Sequence, residues 1–99
     1  MAYATTNPYT GEVVKTFPDA TDAEIIKAIE DADKAFSSWK ETSFASRAKI
    51  MQKAADLLRK DLAGYAKLLT LEMGKIISEA KAEVELSAAI LEYYANNAE

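Results

Sequence analysis

SFASRAKIMQKAADLLRKDLAGYAKLLTLEMGK, residues 43–75, is the longest helical pattern in the chain. Ser43 is the kind of residue that caps a helix N-terminus, because its hydroxyl can accept from a free backbone N–H. The third residue after it is Ser46, not Glu, so the reciprocal capping box is incomplete. Ala48, Met51, Ala54, Ala55, Leu58 and Leu62 then recur at helical spacing and mark a buried face. The phase shifts near Asp61, which can serve as a fresh N-cap. Tyr65, Leu68, Leu69 and Met73 begin a second stripe. Gly64 would cost about 1 kcal/mol against Ala in a helix interior, and less close to a new N-terminus. The pattern predicts two helices broken at Asp61, with one kinked helix as the alternative. Gly74 suits the left-handed position that ends a helix.

Working outward, Thr21-Asp22-Ala23-Glu24 is a capping box with two acids at the positive end of the helix dipole. Ile25, Ala28, Ile29, Ala32, Phe36 and Trp39 follow as one apolar stripe. Phe36 and Trp39 are its anchors, expected in a core. Upstream, residues 2–17 read as a β-hairpin. Tyr3, Thr5 and Thr6 favour one strand; Val13, Val14, Thr16 and Phe17 favour the other, which Pro18 ends. The Asn7–Gly11 loop is too long for a two-residue turn. A lone hairpin is marginal in water, so it needs a further sheet, another subunit or the helices; a mobile tail is the alternative. Downstream, a last helix from Ile77 or Ser78 to about Asn96 carries two stripes. Ile77, Ala80, Val84, Ala88, Leu91 and Ala95 form one; Leu86, Ile90, Tyr93 and Tyr94 form part of another. A helix apolar on two faces is sandwiched between layers, and so short a chain offers only one such layer.

The fold class expected from these patterns is mainly α, four helices preceded by a short β-hairpin. The hairpin covers about 2–17, and the helices about 22–40, 44–60, 62–73 and 77–96. Ninety-nine residues make one domain or a piece of one. The net charge of −4, with Lys and Arg interleaved among acids, argues against a nucleic-acid surface. No run approaches the roughly 20 apolar residues of a membrane span. The N-terminus MAYATTNPYTG lacks the basic end and apolar core of a secretory signal, so the expected location is cytoplasmic.

Chemistry is scarce. With no Cys and no His, thiolate catalysis, disulfides and the commonest base and metal ligand are absent. No Gly-rich phosphate loop follows a strand, and no nucleophile sits beside a base. Glu79 and Glu83 share a helix face, but read best as a solvated pair.

The order of five segments carries more. NPYTGEV at 7–13, the Thr21–Trp39 helix ending AF-x-x-W, RAKIMQKAADLL at 47–58, LTLEMGK at 69–75 and EYYANNAE at 92–99 together resemble the N-terminal segment of the NAD(P)-dependent aldehyde dehydrogenase superfamily. TSFASRA at 42–48 with the terminal YYANNAE is most similar to the succinate-semialdehyde dehydrogenase branch. The resemblance implies a fragment of an α/β enzyme with a Rossmann-type coenzyme domain. That enzyme oxidises an aldehyde through a cysteine thiohemiacetal, with NAD or NADP as hydride acceptor. It also implies that the catalytic and coenzyme-binding residues lie beyond residue 99. No site of either kind, and no coenzyme binding by this chain alone, is then expected.

Two peripheral roles are implied as well. Glu72 matches an acidic residue that, in some relatives, helps hold a structural monovalent cation with backbone carbonyls near Thr6; the alternative is a helix-end carboxylate without an ion. Leu86 is a candidate for the substrate entrance, with core packing as the alternative. Ile76 stands where the family commonly has Pro. The implied partners are the remainder of the enzyme subunit and further subunits in a homo-oligomer, a dimer or tetramer. The isolated chain is expected to self-associate, and neither nucleic acid nor membrane is expected as a partner. A non-enzymatic small helical interaction module is the competing expectation.

Overall fold

The computed structural model describes residues 3–99; Ala2, where the expected hairpin begins, lies outside the described residues. β1 (Tyr3–Thr6) and β2 (Val13–Phe17) pair antiparallel. Thr5 faces Lys15 and Thr6 faces Val13, so Val14 is the extra residue of a β-bulge. The loop between the strands is held by its own polar groups. Asn7 Oδ1 accepts from the Tyr9 amide at 2.9 Å, and Asn7 O accepts from the Gly11 amide at 2.8 Å. Gly11 takes φ 76°, which glycine adopts without steric cost.

α1 (Asp22–Trp39) begins at the complete capping box read in the sequence. Thr21 Oγ1 accepts from the Glu24 amide at 3.2 Å, and the Glu24 carboxylate accepts from the Thr21 amide at 2.8 Å. The core role expected of its apolar stripe is not met: every residue of α1 is exposed, Phe36 at 57% and Trp39 at 45%. The amphipathic pattern predicts a face that needs cover, and no other element among the described residues supplies it.

α2 (Phe44–Lys60), α3 (Leu62–Met73) and α4 (Ile77–Asn97) make the packed part. Ser43 caps α2 through a 3.1 Å bond from the Ser46 amide. α2 and α3 are two helices joined at Asp61, but the Asp61 side chain caps nothing. The reason is backbone geometry. Thr21 and Ser43 are extended, with ψ near 158° and 157°, the arrangement that aims a side chain back at the first amides. Asp61 has φ −120° and ψ 41°. Its carboxylate lies over Gly64 instead: a Cβ there would sit 2.5 Å from Asp61 Oδ2. α3 ends at Gly74, φ 70°, whose amide donates to Thr70 O at 3.0 Å.

The centre of the packing is α4, which lies against both α2 and α3. The stretch 43–75 is therefore two flanks and not the hub. Ala55, Ala66, Ala80, Ala88 and Val84 are the buried residues, with Leu58, Leu62 and Leu69 packed around Ala66, Ala80 and Val84. Small side chains on facing positions let the three helices approach closely. The expected stripe on α3 is displaced: Ala66 is buried, whereas Tyr65, Leu68 and Met73 are exposed. Close helix packing selects the small side chain and turns the large ones outward. On α4 the face from Ala80 to Leu91 turns inward, while Leu86, Ile90, Tyr93 and Tyr94 lie in solvent.

The chain measures 47 × 39 × 16 Å. Sixteen ångströms is little more than one helix, whose diameter with side chains is about 10–12 Å. The radius of gyration is 17.6 Å, against about 13 Å for a compact chain of this length. The accessible surface is 7892 Å², roughly 2,300 Å² above the area that size scaling assigns to a compact monomer. Domains bury their helices between at least two layers; this chain is a single layer.

Candidate functional site

The polar side chains that join α2 to α4 gather around Arg59. Arg59 Nε donates to Glu85 Oε1 at 3.0 Å, and Arg59 Nη2 donates to Glu92 Oε2 at 3.2 Å. Gln52 Nε2 adds a donor to Glu92 Oε1 at 3.3 Å. The Arg59 bonds, then that of Gln52, hold the Glu92 carboxyl below its ordinary value; Glu92 and then Glu85 raise the Arg59 guanidinium above its own. A guanidinium fixed between two carboxylates is a brace. The guanidinium donates hydrogen bonds but is not deprotonated, and it has no lone pair to attack with. Sequence spacing could not reveal it, since the partners stand 26 and 33 residues apart.

A cleft of about 280 Å³ opens between α3 and α4, walled by Leu58, Leu69 and Val84, with Glu72 and Glu83 among its lining residues. Lys75 Nζ is bonded to Glu83 Oε2, so Glu83 is engaged across the α3–α4 turn and not paired with Glu79. Glu72 is exposed, as is Thr6 at the end of β1. Thr6 does not line this cleft. The loop after Thr6 nevertheless reaches the end of α3, where a Cβ on Gly74 would lie 3.1 Å from Pro8 Cγ. Thr5 Oγ1 on β1 and Thr70 Oγ1 on α3 are buried without a hydrogen-bond partner among the described residues. Leu86 is 59% exposed and is not packed in the core of this chain. Among the described residues no group of three or more His, Cys, Asp or Glu is placed to hold a metal ion.

The residues present do not fit a dinucleotide coenzyme. The two described strands form an antiparallel hairpin, not a parallel strand–loop–helix unit. Gly11, Gly64 and Gly74 stand apart in the chain, and the first turn of α1 carries Asp22 and Glu24, which would repel a phosphate. No helix of the described residues is long and apolar enough to cross a membrane.

What the site lacks, the whole chain supplies as a likeness. The aldehyde dehydrogenase family model matches residues 1–99. The chain belongs to the aldehyde dehydrogenase family. This aldehyde dehydrogenase chain is 52% identical over 92 residues to an NADP(+) succinate-semialdehyde dehydrogenase of Deinococcus radiodurans, covering 93% of itself and 19% of that protein. It is 48% identical over 99 residues to succinate-semialdehyde dehydrogenase 1, also NADP(+), of Mycobacterium bovis, covering all of itself and 22% of that protein. The chain thus spans about a fifth of the length of the curated relatives it matches. Among solved structures, the succinic semialdehyde dehydrogenase of Streptococcus pyogenes, determined with NADP+, superposes with a TM-score of 0.91 at 38% identity, over 98% of this chain and 22% of that one.

Proposed function

We propose that this chain is an N-terminal scaffold segment of an NADP-dependent succinate-semialdehyde dehydrogenase. The observation that carries the proposal is the 52% identity that runs through nearly the whole segment. The single-layer architecture supports it: a segment that covers about a fifth of each relative would leave its helix faces to be covered by the rest of the subunit. The whole enzyme would oxidise succinate semialdehyde to succinate, with the nicotinamide coenzyme taking the hydride, as a cytoplasmic homo-oligomer. This segment supplies rigidity and no reacting group. Residues 1–99 act as one unit within it.

Two local roles belong to the same proposal. Glu72, with carbonyls near Thr6, would hold a structural monovalent cation where the hairpin loop meets α3. Leu86, exposed on α4, would face the substrate entrance. The test is a coupled one. A protein that carries this segment within a complete aldehyde dehydrogenase should reduce NADP+ on addition of succinate semialdehyde, and NAD+ less well. The 99-residue chain alone should reduce neither. Failure of the complete protein to oxidise the aldehyde overturns the substrate, and turnover by the short chain overturns the scaffold role.

A further inference from the structure

α1 presents an unusual mechanical situation. It is an 18-residue helix with every residue exposed, joined to the α2–α4 layer through the short turn from Lys40 to Ser43. A helix so placed swings unless its joint is fixed. At that joint one side chain bonds three acceptors. Arg47, in the first turn of α2, donates through Nε to Thr42 Oγ1 at 2.8 Å. Its Nη2 donates to Trp39 O at 3.1 Å and to Lys40 O at 3.2 Å. Trp39 O and Lys40 O are carbonyls at the C-terminal end of α1, beyond the reach of its i→i+4 bonds; Trp39 O also accepts from the Thr42 amide at 3.1 Å, closing the turn that Arg47 braces. Thr42 Oγ1 donates in turn to Trp39 O at 2.6 Å. The guanidinium carbon lies 5.5 Å from the Trp39 ring and 5.9 Å from the Phe44 ring, one aromatic from each helix.

We propose that Arg47 is the clamp that fixes the angle of α1 against the α2–α4 layer, so that its uncovered apolar face is held at a set angle for the rest of the subunit to pack against, a role that rests on the scaffold reading above. The role needs a guanidinium. A planar fork with several N–H directions can hold carbonyls of the preceding helix and the turn hydroxyl together while its charge lies within cation–π range of two rings. A lysine ammonium keeps the charge but has neither the plane nor the fixed fork. The clamp also answers the C-terminal end of the α1 dipole, where a cation is favoured and α1 has no basic residue of its own in its last turn.

The absence of cysteine makes the test direct. Glu30→Cys on α1 with Lys53→Cys on α2 places two spin labels across the joint. Lys53→Cys with Lys81→Cys places two within the layer. All three positions are exposed. Pulsed dipolar spectroscopy of the full chain, with the labelled chain diluted in an excess of unlabelled chain so that pairs between copies do not contribute, should give one narrow distance distribution for each pair. Arg47→Ala and Arg47→Lys should both broaden the cross-joint distribution and leave the in-layer distribution unchanged, with helix content by circular dichroism retained. A broad cross-joint distribution in the parent chain, or a narrow one in Arg47→Ala, overturns the clamp. Full rescue by Arg47→Lys overturns the requirement for the fork. Loss of the in-layer distance in Arg47→Ala shows a general structural role and overturns the specific one.

Discussion

Pro8 lies against Gly74 so closely that a Cβ at residue 74 would stand 3.1 Å from Pro8 Cγ. This contact ties the hairpin loop to the end of α3, and Gly74 meets two demands there. It takes φ 70° to close the helix, and it leaves room for the proline ring. Gly74→Ala should therefore destabilise the chain by roughly 1–2 kcal/mol from the left-handed backbone alone, with a further increment from the proline. Chemical denaturation measures the total. In a Pro8→Ala background the same substitution should cost less, because only the backbone term remains; equal costs in both backgrounds would remove the steric part.

Val84 is the largest of the buried side chains, placed on α4 beside Ala66 of α3. Val84→Ala removes two methyl-sized groups, worth about 0.8 kcal/mol each before any cavity term. A loss of roughly 2 kcal/mol is large for a chain this short. Ala80→Leu and Ala88→Leu should also destabilise, since each buried alanine allows two helices to approach and an added isobutyl group would push them apart. Thermal melting followed by circular dichroism checks all three. Stability unaffected by Val84→Ala would mean that the core lies elsewhere.

Acid should loosen the chain at two places. Glu24 is held below the ordinary glutamate value first by its bond from the Thr21 amide and then by that from the Thr21 hydroxyl. Glu92 is held low by Arg59 and then Gln52. In both, the folded-state value lies below the unfolded one. The stabilisation is then complete above the unfolded glutamate pKa of about 4.3 and is lost as pH falls through the folded value. Thr21→Ala, which removes one of the acceptors at the helix start, should lower α1 protection from hydrogen exchange at neutral pH. Arg59→Met should destabilise the α2–α4 contact at neutral pH and flatten the acid limb of the stability profile. An unchanged acid limb in Arg59→Met would show that Glu92 draws nothing from the guanidinium.

These local devices differ in how far the sequence discloses them. The Thr21–Glu24 box, the Ser43 cap and the Gly74 stop are all legible because each is closed within a few residues. Four helices after a hairpin follow from the same local signals. The helix faces are only partly legible. On α4 the small residues Ala80, Val84 and Ala88 fall in one register and point the right way. On α3 the large residues Tyr65, Leu68 and Met73 outweigh Ala66 in any apolar pattern, yet close helix packing selects Ala66. Asp61 has the right residue type for a cap and the wrong backbone for one. The Arg59 brace and the Arg47 clamp are set by how helices meet, which no local spacing encodes. Glu72 and Leu86 stand out through family likeness alone, since nothing in their exposure or bonding distinguishes them.

The uncovered side of the layer leads to the last expectation. Leu86, Ile90, Tyr93 and Tyr94 on α4 are 48–60% exposed, and the two tyrosine rings stack edge to face at 5.3 Å. Leu91, on the other stripe of α4, is half-buried and takes no part. Contiguous apolar surface of this kind drives association. The roughly 2,300 Å² by which the chain exceeds a compact monomer is more than the ~800 Å² per partner of a standard interface. The 99-residue chain on its own should therefore self-associate, with these four residues covered. Light scattering should show a mass that rises with concentration above the 10.8 kDa of one chain. Ile90→Lys combined with Tyr94→Lys should shift that curve back towards the monomer without loss of helix, because both side chains face solvent and neither supports the core. A mass fixed at one chain at every concentration would show that this face is stable in water, and would weaken the case that a larger subunit covers it.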